Sequence, residues 1–319
     1  MTTGSVKPAA PAAVAILGAG QLGTRHMQSL AKDSDEFRIY MVDPAPHMRV
    51  LVEARLKEID VDPASVACCA SADELPARID FAIVATNSRP RLSALRALLD
   101  GREVGAVVLE KFLFPCVSDY AQAAGELAAA AMPAFVNCPR RLYDGYVAIR
   151  SEIGGPVSLE MEGGDWGLAS NAIHWLDLLD FLSPVESLEV RTALSAPIAA
   201  KRAGYFEFKG VVEASDRRGN RLRLVSHDEA RAAVVRIHDA AGSTWEIRED
   251  ERRATHDGRS YQFPVPYQSE LTIGVAREWL ATQRCNLVTY VRSAELHLAL
   301  LDQFLQSTNA RPDDECLIT

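Results

Sequence analysis

The feature that most constrains the fold is an apolar run that ends in three regularly spaced glycines. Residues 14–17 read as a buried strand, and Gly18, Gly20 and Gly23 follow it with the spacing G-x-G-x-x-G. In a nucleotide-binding turn the first glycine leaves the strand sharply, the second lets a pyrophosphate approach the backbone, and the third lets the next helix lie close to the sheet. Because any tight strand-to-helix turn favours glycine, the spacing alone is a weak indication.

The residues that follow the glycines support a dinucleotide site. Gln21 and Leu22 stand at the start of the predicted helix, where free N–H groups and the positive end of the helix dipole bind anions. Residues 37–42 read as the second strand, and Asp43 follows it. An acid about 20 residues beyond the last glycine accepts hydrogen bonds from an adenosine ribose and repels a 2′-phosphate. We therefore expect NAD as the cofactor, with these residues among its contacts.

Two observations leave other interpretations of Asp43 open. Asp43 directly precedes Pro44, so it also reads as a turn residue. His47 and Arg49 lie just beyond it and are able to accommodate a 2′-phosphate, which keeps NADP as an alternative.

Composition and charge restrict the class of protein. The chain has 319 residues, 48% of them apolar and 24% charged, and a net charge of −9, which is typical of a soluble protein of two domains. The acidic balance argues against nucleic acid as the main partner. No apolar run approaches the roughly 20 residues that cross a bilayer, and the six cysteines lack C-x-x-C spacing. We expect a cytoplasmic protein that does not bind a membrane. Residues 1–13 read as a flexible tail, and they lack the features of a secretory signal.

Polar residues follow two further predicted strands, at residues 80–85 and 106–109. They are Thr86, Asn87, Glu110 and Lys111. Strands and helices alternate throughout this half, which predicts a doubly wound parallel sheet, a Rossmann domain, over residues 14–138. Because ligands of such sheets bind outside the carboxyl ends of the strands, we expect Thr86, Asn87 and Glu110 to contact the cofactor. Lys111 would point toward its nicotinamide end.

A helix at residues 171–182 carries the candidate acid-base residues of the second half. Its apolar residues recur at helical spacing and would pack into the core. His174 borders this apolar face, and an imidazole is the natural group to exchange a proton near neutral pH. Asp177 lies three residues further on, within reach for orienting the imidazole. The alternative is a histidine at the edge of the core, held by a carboxylate of its own helix.

The remainder of the second half is strand-like. Several short alternating segments, separated by turns, follow Pro184 and predict a mainly antiparallel sheet in an α/β domain over residues 139–319. A broad, partly apolar face of such a sheet is a usual place for a second subunit. We therefore expect a homodimer or homotetramer that associates through this sheet.

Four short stretches carry a resemblance to one enzyme family. They are Gly18-x-Gly20-x-x-Gly23, Ala85-Thr86-Asn87, Glu110-Lys111 and Arg140-Arg141. In this order and spacing they resemble the glucose-fructose oxidoreductase and inositol dehydrogenase family (Gfo/Idh/MocA). The resemblance implies a Rossmann domain followed by an α/β domain whose open, mainly antiparallel sheet often forms the dimer contact. It also implies NAD(P)-dependent oxidation or reduction of a sugar or polyol hydroxyl, with Lys111 matching the lysine of the family's E-K-P motif at the reacting hydroxyl.

The chain departs from the family pattern at three positions. Phe112 stands where the E-K-P motif has proline. The other two positions precede the family's helical histidine, which His174 matches: Ser170 stands where the family has an aspartate, and Ala172 where it has a glycine. Because the carboxylate at position 170 is missing, we expect Asn171 or Asp165 to contact the substrate instead.

These observations predict an NAD(P)-dependent oxidoreductase acting on a hydroxyl or keto carbon of a sugar, polyol or activated sugar. The expected catalytic residues are Lys111, His174 and Asp177. The expected substrate contacts are Arg141, Asp165, Trp166 and Asn171. An imine or keto reductase of a non-sugar metabolite and a non-catalytic NAD-binding regulator stay open as alternatives. No metal site is expected, because the seven histidines lack H-E-x-x-H or comparable spacing.

Two pairs of basic residues bear on the charge of the substrate. They are Arg140-Arg141 and Lys201-Arg202. Both pairs favour an anionic substrate, although solvation of a protein surface explains such pairs equally well.

Overall fold

The computed structural model describes residues 10–33, 35–311 and 314–318, which form both helices and strands. Residues 1–9 of the predicted flexible tail lie outside the described residues. The eight α-helices among the described residues are α1 (Gln21–Ala31), α2 (Met48–Lys57), α3 (Arg91–Leu99), α4 (Val117–Ala129), α5 (Asp144–Glu152), α6 (Leu168–Leu182), α7 (Gln268–Thr282) and α8 (Tyr290–Ser307). Short 3-10 helices lie at Pro63–Ser65, Ala72–Glu74 and Pro139–Leu142.

Strands are the other main component. Those among the described residues are β1 (Ala12–Leu17), β2 (Phe37–Val42), β3 (Val66–Cys69), β4 (Arg78–Ile79), β5 (Phe81–Val84), β6 (Glu103–Val104), β7 (Val107–Leu109), β8 (Ala134–Val136), β9 (Val157–Gly163), β10 (Glu189–Leu194), β11 (Ile198–Ala199), β12 (Phe206–Glu207), β13 (Gly210–Ser215), β14 (Arg221–Ser226), β15 (Val234–Asp239), β16 (Thr244–Arg248), β17 (Arg253–His256), β18 (Arg259–Gln262) and β19 (Val288–Thr289).

The chain forms two compact units that each combine several segments. The first unit comprises Met1–Glu110, Gln122–Val136 and Tyr267–Cys285. The second unit comprises Lys111–Ala121, Asn137–Pro266 and Asn286–Thr319. The domain boundary after residue 138 stays a prediction, and the structure adds that α7 packs with the first unit although it lies far along the chain.

The first unit is built on a parallel sheet. Its strands lie in the order β8-β7-β5-β1-β2-β3, and neighbouring strands pair in parallel. All residues of β5 and β7 are buried, as a sheet covered on both faces requires. The strand order reverses at β1, which is the switch point where open α/β sheets bind ligands. The predicted doubly wound fold is confirmed.

The second unit is built on a mainly antiparallel sheet of eight strands. Their order is β10-β13-β14-β9-β15-β16-β17-β18, and only β14 and β9 pair in parallel. Along β9 the apolar side chains Val157, Leu159 and Met161 are buried, while the polar ones between them are partly exposed. α6 packs on the buried side, against β9 and β14. The predicted antiparallel sheet is confirmed.

The open face of this sheet differs from the expectation of a partly apolar surface. One row of residues crosses six neighbouring strands with charges of alternating sign; we call it the charge row. Its members, from β10 to β16, are Arg191, Glu213, Arg223, Glu160, Arg236 and Glu246. Arg223 Nε lies 3.4 Å from Glu213 Oε1, and Arg236 Nε lies 3.4 Å from Glu246 Oε2. The strand register, which the sequence does not reveal, aligns these charges into one row.

Two segments of the second unit also differ from the sequence interpretation. The helix predicted at residues 171–182 begins earlier, at Leu168. The hairpin of β17 and β18 was not predicted, because its residues are mostly polar and exposed and show no apolar alternation.

Candidate active site

Backbone packing dictates two of the three glycines in the turn after β1. Gly18 has φ +99°, and a Cβ there would lie 2.8 Å from the backbone N of Thr86. A Cβ on Gly23 would lie 1.8 Å from the carbonyl oxygen of Gly18. A Cβ on Gly20, by contrast, would meet no atom within 4 Å. Gly18 and Gly23 are therefore required by the fold, whereas the open space at Gly20 fits the approach of a pyrophosphate.

The N-terminus of α1 is suited to an anion. Its N-cap residue is Gly20, and no side chain caps the helix there. The side chain of Gln21 accepts a hydrogen bond from Arg55 at 2.6 Å, and a contact between Gln21 and the cofactor stays a prediction. Leu22 is exposed beside Gln21. Uncapped N–H groups and the helix dipole both favour a phosphate at this position.

Asp43 lies where the ribose of a dinucleotide is expected. Its Oδ2 accepts a hydrogen bond from Ala19 N and its Oδ1 one from Ala45 N, each at 2.9 Å. The second bond is that of a turn residue, which supports that interpretation of Asp43, and the contact with a ribose stays a prediction. Arg49 lines the same pocket, where it donates to Cys68 O. The pocket has a volume of about 300 Å³ and lies entirely within the first unit; its lining is Ala19, Met41, Asp43, Pro44, Ala45, Pro46, Met48, Arg49, Val52, Cys68, Cys69 and Ala70.

Thr86 and Asn87 follow β5 at the same edge of the sheet. Both are partly exposed. The hydroxyl of Thr86 is buried and has no hydrogen-bond partner, while its carbonyl accepts a hydrogen bond from the buried Arg91. A buried hydroxyl without a partner is costly unless a ligand or water satisfies it. These features fit a bound dinucleotide, and direct contacts stay a prediction.

Glu110 does not occupy the position expected of a cofactor ligand. Its side chain is buried inside the first unit, with Oε1 at 2.8 Å from Nε2 of His26. The other ring nitrogen of His26 lies 2.8 Å from the hydroxyl of Thr272 on α7. The cluster joins α1, α7 and the end of β7, so Glu110 stabilises the unit rather than presenting a carboxylate to a ligand. Its partners lie far away in sequence and could not be foreseen.

Lys111 is held by the first turn of α6. Its Nζ donates to the carbonyl oxygen of Ser170 at 3.0 Å and to Oδ1 of Asn171 at 2.9 Å. The amide nitrogen of Asn171 donates in turn to the carbonyls of Trp166 and Gly167, at 2.8 and 3.1 Å. These bonds fix the Asn171 side chain and give the lysine ammonium a defined position.

Phe112 stands where the resembled motif has proline. The peptide bond between Lys111 and Phe112 is cis. The Phe112 side chain is fully buried, and its ring lies edge-on to the imidazole of His297, with the centroids 4.7 Å apart.

His174 is buried on α6 and neutral. Its Nδ1 is enclosed by protein and makes no hydrogen bond. Burial is the main cause that lowers the pKa of His174 well below 6.5, and the positive charges of Lys111 and Arg140 and the nearby His297 lower it further. This direction favours the unprotonated imidazole at neutral pH, the form that a general base requires, but it also weakens the ring as a proton acceptor.

Asp177 does not orient His174, contrary to the expectation from their spacing. Both of its carboxylate oxygens accept from Nε of Arg141, at 2.9 and 2.7 Å. Arg141 also contacts Asp180 at 3.2 Å, and Asp180 accepts from Arg292 at 2.6 Å. Burial raises the pKa of Asp177 to about 6, an effect that the Arg141 guanidinium opposes. Arg141 lies on the 3-10 helix Pro139–Leu142, whose approach to α6 brings its guanidinium to Asp177. Because the two side chains bind each other, the structure supports neither Asp177 as a catalytic residue nor Arg141 as a substrate contact.

The arginine pair also fails to support an anionic substrate. Arg140 donates to both carboxylate oxygens of Glu249, at 2.9 and 2.7 Å, and Tyr146 donates to the same carboxylate. The guanidinium of Arg140 is therefore engaged within the unit. Lys201 and Arg202, in contrast, are exposed and line a pocket.

This pocket contains three of the four predicted substrate contacts. It has a volume of about 660 Å³ and lies within the second unit. Trp166 is fixed in its wall by a hydrogen bond from Nε1 to the carbonyl of Val225 at 3.0 Å. The lining residues are Asp165, Trp166, Gly167, Ser170, Asn171, Ile198, Ala199, Ala200, Lys201, Arg202 and Glu207. Substrate binding by Asp165, Trp166 and Asn171 stays a prediction, and Arg141 is not among the lining residues.

Glu207 is a pocket residue that sequence reasoning missed. It lies on β12 and is 9% exposed. Its carboxylate accepts from the backbone N–H groups of Ala169 at 2.8 Å and Ser170 at 3.2 Å. Burial raises the pKa of Glu207, while these hydrogen bonds and the charge of Lys111 oppose the rise. A single acid on a two-residue strand carries no sequence signal for such a role.

Among the described residues, no group of histidine, cysteine, aspartate and glutamate side chains is arranged to hold a metal ion. In the same part of the chain, no helix combines the length and the apolar composition that crossing a membrane requires.

Comparisons with known proteins identify relatives by structure only. No family model and no curated protein sequence matches the chain. An oxidoreductase from Agrobacterium radiobacter in complex with NAD+, L-tartaric acid and magnesium aligns with a TM-score of 0.70 and 15% identity, over 93% of this chain and 96% of the other. The WlbA dehydrogenase from Bordetella pertussis in complex with NADH and UDP-GlcNAcA aligns with a TM-score of 0.68 and 18% identity, over 94% and 97%.

A third similar structure is a super-repressor mutant of Gal80p from Saccharomyces cerevisiae. It aligns with a TM-score of 0.72 and 12% identity, over 94% of this chain and 96% of that one. The resemblance inferred from the motifs is thus confirmed at the level of the fold. At these identities the likeness shows the fold alone.

The glycine turn permits a test that separates folding from cofactor binding. We expect Gly23→Ala to lower the free energy of unfolding by about 3 kcal/mol, because its Cβ would overlap Gly18 O. Gly20→Ala should leave stability within about 0.5 kcal/mol but weaken NAD binding by about tenfold or more, which corresponds to about 1.4 kcal/mol. Urea unfolding and calorimetric titration with NAD measure the two effects. Equal NAD affinity of Gly20→Ala and the wild type would contradict the assignment.

The neutral state of His174 is the second testable feature. Because its pKa is lowered in the folded protein, we expect the imidazole to stay neutral as the pH falls through about 6.5, where an unfolded histidine gains a proton. The stabilisation from this residue is therefore present above that pH and is lost as the pH falls below it. Long-range proton–nitrogen NMR spectra, with His174→Gln to identify the signal, report the state of the ring. An imidazolium signal at mildly acidic pH would refute the prediction.

Proposed function

We propose that this chain, which has the fold of the Gfo/Idh/MocA-type oxidoreductases, is an NAD(P)-dependent oxidoreductase acting on a hydroxyl or keto carbon of a sugar, polyol or activated sugar. The observation that carries the proposal is the placement of Lys111. Its ammonium is held by Ser170 and Asn171, two residues that line the 660 Å³ pocket, and it lies near enough to the neutral His174 to influence the pKa of that imidazole.

The first unit supplies a site that fits a dinucleotide. The space at Gly20 and the uncapped N-terminus of α1 suit the pyrophosphate, and Asp43 suits the adenosine ribose. The unpartnered hydroxyl of Thr86 offers a further polar contact. When bound, the nicotinamide supplies the hydride exchange that no side chain can perform. Asp43 favours NAD, and Arg49 in the same pocket keeps NADP as the alternative.

The second unit supplies groups that move a proton and stabilise charge. As an alcohol is oxidised, its hydroxyl proton must leave, and His174 is the unprotonated group on α6 that would receive it, with a basicity that burial and the charge of Lys111 reduce. The ammonium of Lys111, bound to two oxygen acceptors, is suited to donate a hydrogen bond to the reacting oxygen and to stabilise negative charge there. In the reducing direction the same groups act in reverse. Asp165, Trp166 and Asn171 would then contact the remainder of the substrate.

Two alternatives share part of this geometry. A keto or imine carbon of a non-sugar metabolite requires the same proton donor, and the L-tartaric acid bound to the Agrobacterium oxidoreductase is a non-sugar hydroxy acid. A non-catalytic NAD-binding regulator is favoured by the likeness to Gal80p, whose similar structure is that of a super-repressor mutant. The ordered contacts of Lys111 favour chemistry, since a regulator has no need of an ammonium held beside a neutral imidazole.

We also propose that two copies associate through the charge row. A two-fold axis parallel to the strands, passing between Arg223 and Glu160, would place every member of the row opposite a member of the other sign. Arg223 would face Glu160 of the second copy, and Arg191 would face Glu246. An isologous interface requires this kind of self-complementary surface, and the row provides it through charge on a face first expected to be partly apolar.

Replacing the lysine tests the proposed chemistry. We expect Lys111→Ala to lower turnover by about 10²–10⁴-fold, because the reacting oxygen loses its charged partner, while the affinity for NAD changes little. A screen of sugars, polyols, sugar nucleotides and hydroxy acids, followed by nicotinamide absorbance, identifies a substrate of the wild type. Lys57→Ala, an exposed change in the first unit, is the control. Unchanged turnover in Lys111→Ala would refute the assignment, and wild-type NAD binding without turnover on any compound would favour the regulator.

Charge reversal tests the proposed association. Size-exclusion chromatography with light scattering should show a wild-type dimer or tetramer and a smaller species for Glu160→Arg, since Arg223 would then face a like charge. Combining Glu160→Arg with Arg223→Glu restores opposite signs across the axis and should restore association. A wild-type protein that is monomeric would rule the interface out.

A further inference from the structure

Glu207 is bound to the same helix turn that holds Lys111. β12 pairs with β11, with Glu207 opposite Ile198, and the backbone N of Phe206 donates to the carbonyl of Leu317 at 3.0 Å. The two-residue strand is thus bonded on both sides. The carboxylate of Glu207 lies at the start of α6, where it accepts hydrogen bonds from the backbone N–H groups of Ala169 and Ser170.

The local backbone is shaped to admit this carboxylate. Gly167 is the N-cap of α6 and has φ +72°, so it offers no capping side chain. A Cβ at this position would lie 3.3 Å from Oε1 of Glu207 and 3.0 Å from both the Ser170 hydroxyl and the Asn171 amide nitrogen. Glycine therefore leaves the space that Glu207 fills, and Glu207 supplies from another strand the cap that the helix lacks.

Lys111 and Glu207 bind opposite kinds of group in one helical turn. The N–H groups of Ala169 and Ser170 donate to the carboxylate, while the Ser170 carbonyl and the Asn171 side chain accept from the ammonium. The two charges interact electrostatically across this turn. His174 follows one helical turn later on the same element.

We infer that Glu207 is a positioning residue for Lys111, whose carboxylate fixes the first turn of α6 and supplies the negative charge that balances the lysine ammonium. The inference rests on the proposed function in so far as that function gives Lys111 a catalytic use.

The electrostatic part is tested on Lys111 itself, without substrate. Trace acetylation with acetic anhydride modifies only the neutral amine, so mass spectrometry of the Lys111 peptide over a pH series gives the midpoint of its protonation. We expect Glu207→Gln to lower this midpoint by about 1 pH unit, because the variant removes a nearby negative charge. Lys57, exposed in the first unit, is the internal reference. Glu229→Gln, an exposed change in the second unit, is the matched control and should not shift the midpoint.

An unchanged midpoint in folded Glu207→Gln would overturn the inference. If Glu207→Gln does not fold, Glu207→Asp provides the test. Its side chain is one methylene shorter, so it keeps the negative charge but places it further from Lys111. A smaller downward shift supports the inference, and no shift overturns it. Once a substrate is known, we expect Glu207→Gln to lower kcat about tenfold with a smaller change in KM, since a misplaced Lys111 affects the transition state more than substrate binding. Acetylation requires no turnover, so its result is distinct from failure of the proposed oxidoreductase activity.

Discussion

The candidate site depends on the first turn of α6, whose N–H groups donate hydrogen bonds to one side chain and whose oxygen atoms accept hydrogen bonds from another. A helix start leaves N–H groups without intrahelical partners, and here Gly167 provides no capping side chain. Glu207 binds those donors from β12, while the oxygens of Ser170 and Asn171 bind Lys111. A change on either side alters the other, because both act through one short piece of backbone. The Lys111 ammonium is thus held by the terminus of α6 rather than by β7, the strand that precedes it in the chain.

Ion pairs hold the remainder of α6 in place. Asp177 pairs with Arg141, and Asp180 with both Arg141 and Arg292. Arg140 lies 3.8 Å above the ring of Trp175. Removing one partner of a buried pair typically costs about 3–5 kcal/mol, because the other charge stays buried without compensation. These contacts engage the charged residues of α6 within the second unit, while Nδ1 of the buried His174 on the same helix has no hydrogen-bond partner.

The first unit meets a different constraint, which is steric. Gly18 and Gly23 are required because the turn, β5 and α1 approach one another too closely for a Cβ. That close approach brings the N-terminus of α1 and the carboxyl ends of β1, β2 and β5 to one edge of the sheet, and Asp43 and Thr86 lie there as a consequence. The space left at Gly20 then suits a ligand and is not needed by the fold. Packing therefore requires two glycines of the motif, and the proposed pyrophosphate contact concerns the third.

Local patterns in the sequence were sufficient for the parts that depend on neighbouring residues. The glycine spacing, the apolar strands, Asp43 at a strand end, Lys111 after β7 and the helix that carries His174 follow from periodicity and position along the chain. Local patterns could not reveal partners that are distant in sequence. Glu110 binds His26, Asp177 binds Arg141 instead of His174, and the open sheet carries a charge row where a partly apolar face was expected. Glu207 was missed for the same reason, since its role exists only when β12 reaches the start of α6. The sequence by itself determined the fold class and which polar side chains are candidates for the site, because both follow from spacing between residues that are close in the chain. Only the tertiary structure decided which charge meets which partner, because burial and strand register bring together residues that the chain keeps far apart.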